Sequence, residues 1–367
     1  MMQKILLPLD PFLEALDDLG KEAHQTAYAE SRSHFFKIEA WRVLCYLVGY
    51  GTAWIYLNPI SVLFISLGRF SSWTILAHHV LHGGYDSIPG MPNCYTRKGC
   101  TKGIWKLFHW YDWIDVKAWK VEHNQMHHYH LGENLDPDVP EANFSFMRDR
   151  KMPKILKYVI LFVAASTWKM TYYAISTYKQ LLFKPQDRKL DRQYKIEDLF
   201  FTLIGKKNRG VWLRCWIPYA VITFGVLPAC FLPWGVEYYL RVLGTSLLAE
   251  WLTNIHSFMV IVPNHTGSDI YRFDTPAQDK TEFYVRQFYG TANYRCGGDL
   301  NDFLHGWLNY QIEHHLWPDL TLKQYQLVAP KLKALCCQYN VPYLQESVWT
   351  RNWKMAQVFT GKDSMLR

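Results

Sequence analysis

His78-His79-Val80-Leu81-His82 is the first of three histidine clusters that decide how this chain is read. The others are His123-Asn124-Gln125-Met126-His127-His128 and Gln311-Ile312-Glu313-His314-His315. Neutral imidazole is the commonest side-chain ligand of transition metals. On a helix, His78 and His82 share a face, as do His123 and His127, and Gln311 reaches the side of His314 and His315. A polar helix face is the alternative for any one cluster; three in one chain point to a metal centre. A zinc site takes three or four protein ligands. Here His78, His82, His123, His127, His128, His314 and His315 exceed that number, which suggests two metals. Neither the Glu-x-x-His pairs of carboxylate-bridged bundles nor a His-Glu-x-x-His motif occurs. The pattern that remains is a histidine-rich, non-haem di-iron site.

Composition places this site in a protein partly within a membrane. The 367 residues include 16 Trp, 24 Tyr and 20 Phe, and Trp and Tyr gather where protein meets both lipid and water. Mean hydropathy is −0.16, so much of the mass lies outside a bilayer. The net charge of +8 suits anionic headgroups, positive cytoplasmic loops or an acidic redox partner. The basic residues are scattered and no nucleic-acid motif accompanies them. The eight cysteines form no Cys-x-x-Cys pair and read as reduced thiols on a cytosolic face. No cleavable signal peptide is expected at Met1 to Asp10, which Pro8 interrupts.

Residues 1–40 read as an amphipathic N-terminal segment with Ile5, Leu6, Leu7, Leu9, Phe12, Leu13 and Leu16 on its apolar side. From Val43 to Gly68 no residue is charged, but Asn58-Pro59 breaks the run, because proline removes a helical hydrogen bond and restrains the residue before it. A helical hairpin of about 41–57 and 60–77 follows, with the first cluster at its exit. Each half is short against the roughly 20 residues of a spanning helix. Arg69 lies inside the second half, where a mid-bilayer cation costs about 2.5–3.5 kcal/mol; it either faces the bundle interior or snorkels.

The basic, Trp-rich piece with Trp105, His109, Trp110, Trp113 and Trp119 is too charged to span, which keeps the first two clusters on one side. Asp136-Pro137-Asp138 reads as a turn whose carboxylates cap a helix, orient a ligand imidazole or stand in solvent. Three apolar stretches follow, at about 155–177, 211–233 and 237–262. The third cluster must return to the side of the first two, so an even number crosses. The stretch with Lys157 and Lys169 is assigned to the interface, and the last two form a second hairpin around Pro233, Trp234 and Gly235. The fold class expected is therefore an all-α integral membrane protein. Two transmembrane hairpins, about four spans, carry a helical cytosolic cap that holds the di-iron site. By the positive-inside rule both termini and all three clusters face the cytosol.

His265 emerges where the last span ends and is a further ligand candidate. His79 adjoins the first cluster and is carried as another; His130 and His305 are ligands, supporting groups or surface. His256, inside the last span, is read as hydrogen-bonded to a neighbouring helix. His24, His34 and His109 are read as surface. Residues 320–341 read as an amphipathic helix, and 346–367 as a polar tail.

With these residues the chain resembles the membrane-bound fatty acid desaturases, whose three boxes have the forms His-x3-4-His, His-x2-3-His-His and His/Gln-x2-His-His. Gly306 to Pro318, around Gln311-Ile312-Glu313-His314-His315, is similar to the third box of the acyl-lipid and front-end branch. Asn264-His265-Thr266-Gly267, Arg286-Gln287 and Thr291-Ala292-Asn293 fit segments of the same branch. The likeness covers about 41–345, which it marks as the desaturase domain. It implies the metal ligands His78, His82, His123, His127, His128, His265, His314 and His315, with Gln311 and His79 as further candidates. It implies two iron ions, O2 and an acyl chain carried on a lipid, an acyl carrier protein or coenzyme A. No His-Pro-Gly-Gly haem motif is present, so electrons are expected from a separate ferredoxin or b-type cytochrome. The second box has three residues between His123 and His127, where the front-end branch usually has two. The host is a bacterial inner membrane or an endoplasmic reticulum. Hydroxylation, epoxidation, or oxidation of carotenoids or sterols on the same scaffold is the neighbouring reading. A non-catalytic zinc protein is the rival from another class.

Overall fold

The computed structural model describes residues 9–183, 195, 197, 198 and 209–367. The N-terminal expectation at Ile5, Leu6 and Leu7 lies outside the described residues.

Two helical hairpins stand side by side. Helix α1 (Leu9–Gln25) precedes α2 (Tyr28–Ala53), and α3 (Pro59–His82) returns beside α2. The break is made by the sequence expected: Asn58 caps α3 by accepting the amide of Ser61 at 2.8 Å, and Pro59 occupies the first turn, where its missing N–H is no loss. α3 runs through the first histidine cluster and stops at Gly83, whose φ of 97° provides the left-handed cap. The cluster is therefore the last turn of the helix, not a segment beyond it. A π-helical stretch, Ser71–Ala77, directly precedes it.

The next chain segment supplies a short helix, α4 (Val116–Val121), capped by Asp115 and continued as a π-turn over Glu122–His127. Helix α5 (Lys154–Trp168) lies on the outside of the hairpins against the last long helix. It turns Ile155, Val159, Phe162 and Val163 outward. Lys157 within it and Lys169 just after it are satisfied internally: Lys157 donates to the carbonyls of Arg148 and Thr360 at 2.7 and 2.8 Å, and Lys169 pairs with buried Asp112.

The second hairpin is α6 (Arg209–Trp234) and α7 (Val236–Ile261). Gly235, at φ 136°, makes the turn. Pro218 and Pro228 within α6 each withdraw an amide donor, and π-helical stretches at Trp212–Trp216 and Val221–Val226 absorb the disturbance. Arg241 donates to the carbonyls of Ile55 and Trp54 at 2.8 and 3.3 Å, tying the second hairpin to the end of the first. Both turns thus lie at one end of the bundle and the histidines at the other. Among the described residues, α3 and α6 are long and apolar enough to cross a membrane.

Arg69 faces the bundle interior. Its guanidinium donates to Ser246 carbonyl at 2.8 Å, Glu250 Oε2 at 3.1 Å and Tyr50 hydroxyl at 3.1 Å. Glu250 also accepts from Trp113, Tyr219 and Asn254. Every lone pair of this buried carboxylate is thereby occupied, the condition under which an ion pair is tolerated away from water.

The rest of the chain forms a cap: α8 (Lys280–Tyr289), α9 (Gln311–Leu316), α10 (Leu322–Gln338) and α11 (Val348–Phe359). α10 starts with a capping box of Thr321 and Gln324. The apolar stripe of α1, with Phe12 and Leu16, packs on α10, and Phe12 meets the rings of Phe288 and Tyr339. Residues 348–359, read from sequence as a tail, fold into α11 and bury Arg351, Met355, Val358 and Phe359.

Candidate metal centre

The three clusters meet. His78 and His82 come from the last turn of α3, His123 from the π-turn after α4, and His314 from α9. Their ligand atoms all lie within 4.8 Å of one another. His127, His265 and His315 form a second group within the same distance. His128 stands between the two, its ring 4.6 Å from His82, 4.7 Å from His314 and 4.5 Å from His315. His123 and His127 do not share one site as ideal helical spacing suggests. The π-turn widens the helix, and the two rings stack 5.5 Å apart while serving different groups.

Partners that can only accept fix the tautomers. The Nδ1 atoms of His78, His79 and His265 face the carbonyls of Thr74, Ile75 and Gly290 at 3.3, 2.6 and 3.3 Å. His127 Nδ1 faces Asp136 Oδ1 at 3.0 Å. Tyr325 donates its own hydroxyl proton to Trp317 carbonyl at 2.8 Å, so its oxygen accepts from His314 Nδ1 at 3.2 Å. In each of these rings Nδ1 carries the proton and the Nε2 lone pair is left for the interior. Nε2 of His82 and His314, and both nitrogens of His315, are buried without a hydrogen-bond partner. His123 Nε2 lies 3.0 Å from that of His78 and 3.2 Å from that of His128. Buried polar atoms are normally paired; nitrogens converging on two points fit cations there.

Electrostatics agree. Burial, and after it the neighbouring imidazoles, holds His123, His128, His314 and His315 well below the ordinary histidine range, and burial followed by His127 does the same for His265. They are neutral near pH 7, the form that binds metal. His127 is the exception: burial, the largest single influence, pulls its pKa down, but the charge and hydrogen bond of Asp136 together with the charge of Asp138 outweigh it and the net shift is upward.

The other candidates are sorted by contact. Gln311 points its amide nitrogen at His265 Nε2, 2.9 Å away, and its oxygen accepts from Asn264 at 3.2 Å. His79 is buried beside His314 and Tyr325 but belongs to neither group. His256 Nε2 donates to Leu304 carbonyl at 2.7 Å, and its ring stacks on Phe70. His130 meets Glu133, and His305 bonds back to Asn301 carbonyl. His34 and His109 are not at the surface: His34 is buried against Asp299 and Trp307, and His109 is buried between Tyr95 and Trp105. Asp136 settles in the orienting role, held by the amides of Gly132 and Asp138.

Several supports went unread in the sequence. Trp119 stacks on His123 at 4.6 Å and stands edge-on to His78 and His82. Asn293 accepts the Ile312 amide at 2.8 Å and donates to Glu313, fixing the start of α9. Arg351 grips Asp269 and the carbonyl of Thr266, beside His265. Gly306, at φ 68°, leaves no room for a Cβ, which would meet Thr74 and Phe70 at 2.7 and 2.9 Å; this close approach seats α9 against α3.

A model of the fatty acid desaturase family matches residues 52–347, a span holding all three clusters and His265. The chain belongs to the fatty acid desaturase family. An NADPH-dependent stearoyl-CoA 9-desaturase of Mycobacterium tuberculosis is 24% identical over 306 residues, covering 80% of this chain and 65% of that protein. A Delta(8)-fatty-acid desaturase of Euglena gracilis is 27% identical over 244 residues, 63% of this chain and 52% of its own. Delta(5) fatty acid desaturase A of Dictyostelium discoideum is 23% identical over 318 residues, 82% and 62% respectively. This desaturase-family chain spans between half and two thirds of the length of these relatives. Family membership, with two helices able to span, makes it a membrane protein.

Proposed function

We propose that the protein is an oxygen-dependent di-iron fatty acid desaturase that places a carbon–carbon double bond in an acyl chain, drawing electrons from a separate ferredoxin or b-type cytochrome. One observation carries the reading: two groups of histidines, four and three in number, present ring nitrogens to two neighbouring points in the buried core. His78, His82, His123 and His314 would hold one iron, and His127, His265 and His315 the other, with His128 between them. Bound iron would supply the dioxygen chemistry that removes two hydrogens from adjacent methylenes, which no side-chain acid or base can do. The chain's own part is to keep these imidazoles neutral and aimed, through Asp136, Tyr325 and the backbone carbonyls, and to keep water out. Gln311 acts through Asn264 and His265, holding both in register.

The reading includes four spans, α2, α3, α6 and α7. α2 and α7 each have 26 residues, against the roughly 20 a span needs. The outward residues Leu44, Leu47, Leu63, Leu213, Val221, Leu240 and Leu247 are those a bilayer would cover. With both turns at one end, the histidines and both termini share the other, which the positive-inside rule assigns to the cytosol. Residues 41–345 are the desaturase unit. The relatives' substrates suggest an acyl chain on coenzyme A or on a lipid.

The test is a fatty-acid and total-lipid profile of cells expressing this chain, beside cells expressing the His314→Ala, His315→Ala double variant at equal level, with the metal measured in both purified proteins. A new unsaturated acyl species made only by the intact, iron-bearing chain is expected. A new hydroxylated or epoxidised product would move the reading to a neighbouring oxidation, and an unchanged profile with bound zinc would remove it.

A further inference from the structure

α11 has one packed face and one free face. Arg351, Met355, Val358 and Phe359 are buried, whereas Trp349 and Trp353, four residues apart and so on one side of the helix, are 69% and 61% exposed. Two neighbouring indoles turned outward mark a surface that something covers.

The position of α11 indicates what covers it. Asn352, next to Trp353, donates to Met259 carbonyl in the last turn of α7 at 2.8 Å. At the other end of the helix Gln357 donates to Tyr158 hydroxyl at 3.4 Å, and Thr360 carbonyl accepts from Lys157 at 2.8 Å, both partners lying in the first turns of α5. α11 therefore bridges the end of α7 and the start of α5. These two helices carry the outward apolar residues Leu247, Leu248 and Trp251, and Ile155 and Val159. A protein bound over the indoles would have to share its footprint with that apolar flank, whereas a bilayer covers both at once.

Charge supports the same partner. Arg150, Lys151 and Lys154, at the start of α5, and Lys362, just past α11, are all exposed. Lys362 Nζ stands 6.0 Å from the Trp353 ring. Among the described residues none of the four is in an ion pair, and Asp149 of the same stretch faces Arg148 at 3.6 Å. Indoles with a rim of lysine and arginine are the composition of a helix lying in the headgroup layer of an anionic membrane.

We infer that α11 is an interfacial anchor: Trp349 and Trp353 sit in the cytosolic headgroup layer, and Arg150, Lys151, Lys154 and Lys362 gather anionic phospholipid around them. The inference rests on the four-span reading, which puts the end of α7 at that surface. It adds a membrane contact made by the cap itself, on a segment that reads from sequence as a polar tail.

The experiment is photocrosslinking of the full chain in vesicles of phosphatidylcholine and phosphatidylglycerol in equal parts, with the radiolabel on one lipid or the other. Benzoylphenylalanine replaces Trp353, or Ala334, an exposed position of α10, which packs on α1 and α2, or Leu247 as the bilayer reference. Label from phosphatidylglycerol at 353 is expected to exceed that at 334 about tenfold, and to exceed label from phosphatidylcholine at 353. At 247 the two lipids are expected to label alike. The triple variant Arg150→Gln, Lys151→Gln, Lys154→Gln is expected to remove the preference at 353 and leave 247 unchanged. Label at 247 with none at 353 above the level at 334 would overturn the inference and leave the spans standing; absence at both would remove the two together. A crosslink from 353 to a second copy of the chain in place of lipid would overturn it in favour of a protein contact. Equal labelling by the two lipids at 353, or a preference that survives the triple variant, would overturn the role of the four cations. No outcome depends on turnover, so a protein that makes no unsaturated product yet labels at 353 as expected loses the proposed activity and keeps the anchor.

Discussion

Asp136 Oδ1 lies 3.0 Å from His127 Nδ1, with both side chains buried, and the same carboxylate accepts the amides of Gly132 and Asp138 at 2.9 and 2.8 Å. The backbone holds the carboxylate still, and the carboxylate holds the imidazole. Such partners of metal-binding histidines are worth about 10–100-fold in metal affinity. Asp136→Asn, which keeps the shape and removes the charge, is expected to weaken metal binding by about that factor. A competitive chelator titration against the unaltered protein measures it; equal affinities would refute the orienting role.

Glu250 is the carboxylate that pairs with Arg69 in the bundle interior, and it also gathers Trp113, Tyr219 and Asn254. Glu250→Ala strands a guanidinium among apolar helices. The expected loss is about 3–5 kcal/mol, read as a lower unfolding temperature in detergent. The double variant Arg69→Met, Glu250→Met should recover part of that loss, since it leaves no charge unpaired.

His24 Nε2 meets Asp319 at 2.9 Å, joining α1 to the loop after the third histidine cluster. The bond to Asp319 raises the His24 pKa above its ordinary value of 6.5 despite partial burial, and the bond to His24 first of all lowers that of Asp319 below 3.8. The His24 contribution is full below pH 6.5 and is lost as pH rises through the raised value. The Asp319 contribution is present above pH 3.8 and is lost as pH falls through the lowered value. Both are in force between those limits. Protection factors of the α1 amides, taken relative to intrinsic exchange at each pH, are therefore expected to be higher at pH 5.5 than at pH 8, with the difference abolished by Asp319→Asn. Both groups are partly exposed, so the effect shrinks with salt.

Arg351 of α11 is fully buried, binds both oxygens of Asp269 and donates to Thr266 carbonyl at 2.8 Å. That loop carries His265. Arg351→Met is expected to halve the metal bound per chain, emptying the group of three and sparing the group of four. Lys354→Met serves as the control, because Lys354 donates to the carboxylates of Asp269 and Glu346, whereas Arg351 also holds the loop carbonyl of Thr266. Equal metal loss in the two variants would count against this role.

Much of the fold and centre could be read because it rests on local rules. The hairpin break at Asn58-Pro59 is set by proline chemistry, and the histidine clusters by spacing within a turn or two of helix. Arg69, left open between two orientations, is resolved by Glu250, 181 residues away in the chain. Such pairs leave no local pattern. The same holds for Lys169 with Asp112 and for Arg351 with Asp269, and it explains why residues 348–359 read as a tail: their reason for folding is a loop more than eighty residues earlier. His34 and His109 were misplaced for a related cause. An isolated histidine carries no periodic signal, and its burial depends on what happens to pack over it. The division of His123 from His127 was hidden because the π-turn changes the angular step between residues that ideal spacing assumes constant.

Adjacent His314 and His315 belong to different groups, and so do His123 and His127. Neither position is therefore owned by a single helix: each is closed only when segments distant in the chain have docked. Bringing His314 to His78 closes a loop of more than two hundred residues, an entropic cost that metal binding can offset only once the helices have come together. The centre is thus a clasp fastened late in assembly. In the proposed four-span arrangement, a newly made chain would insert its hairpins first and become competent for metal only after residues 280–359 have been synthesised and seated.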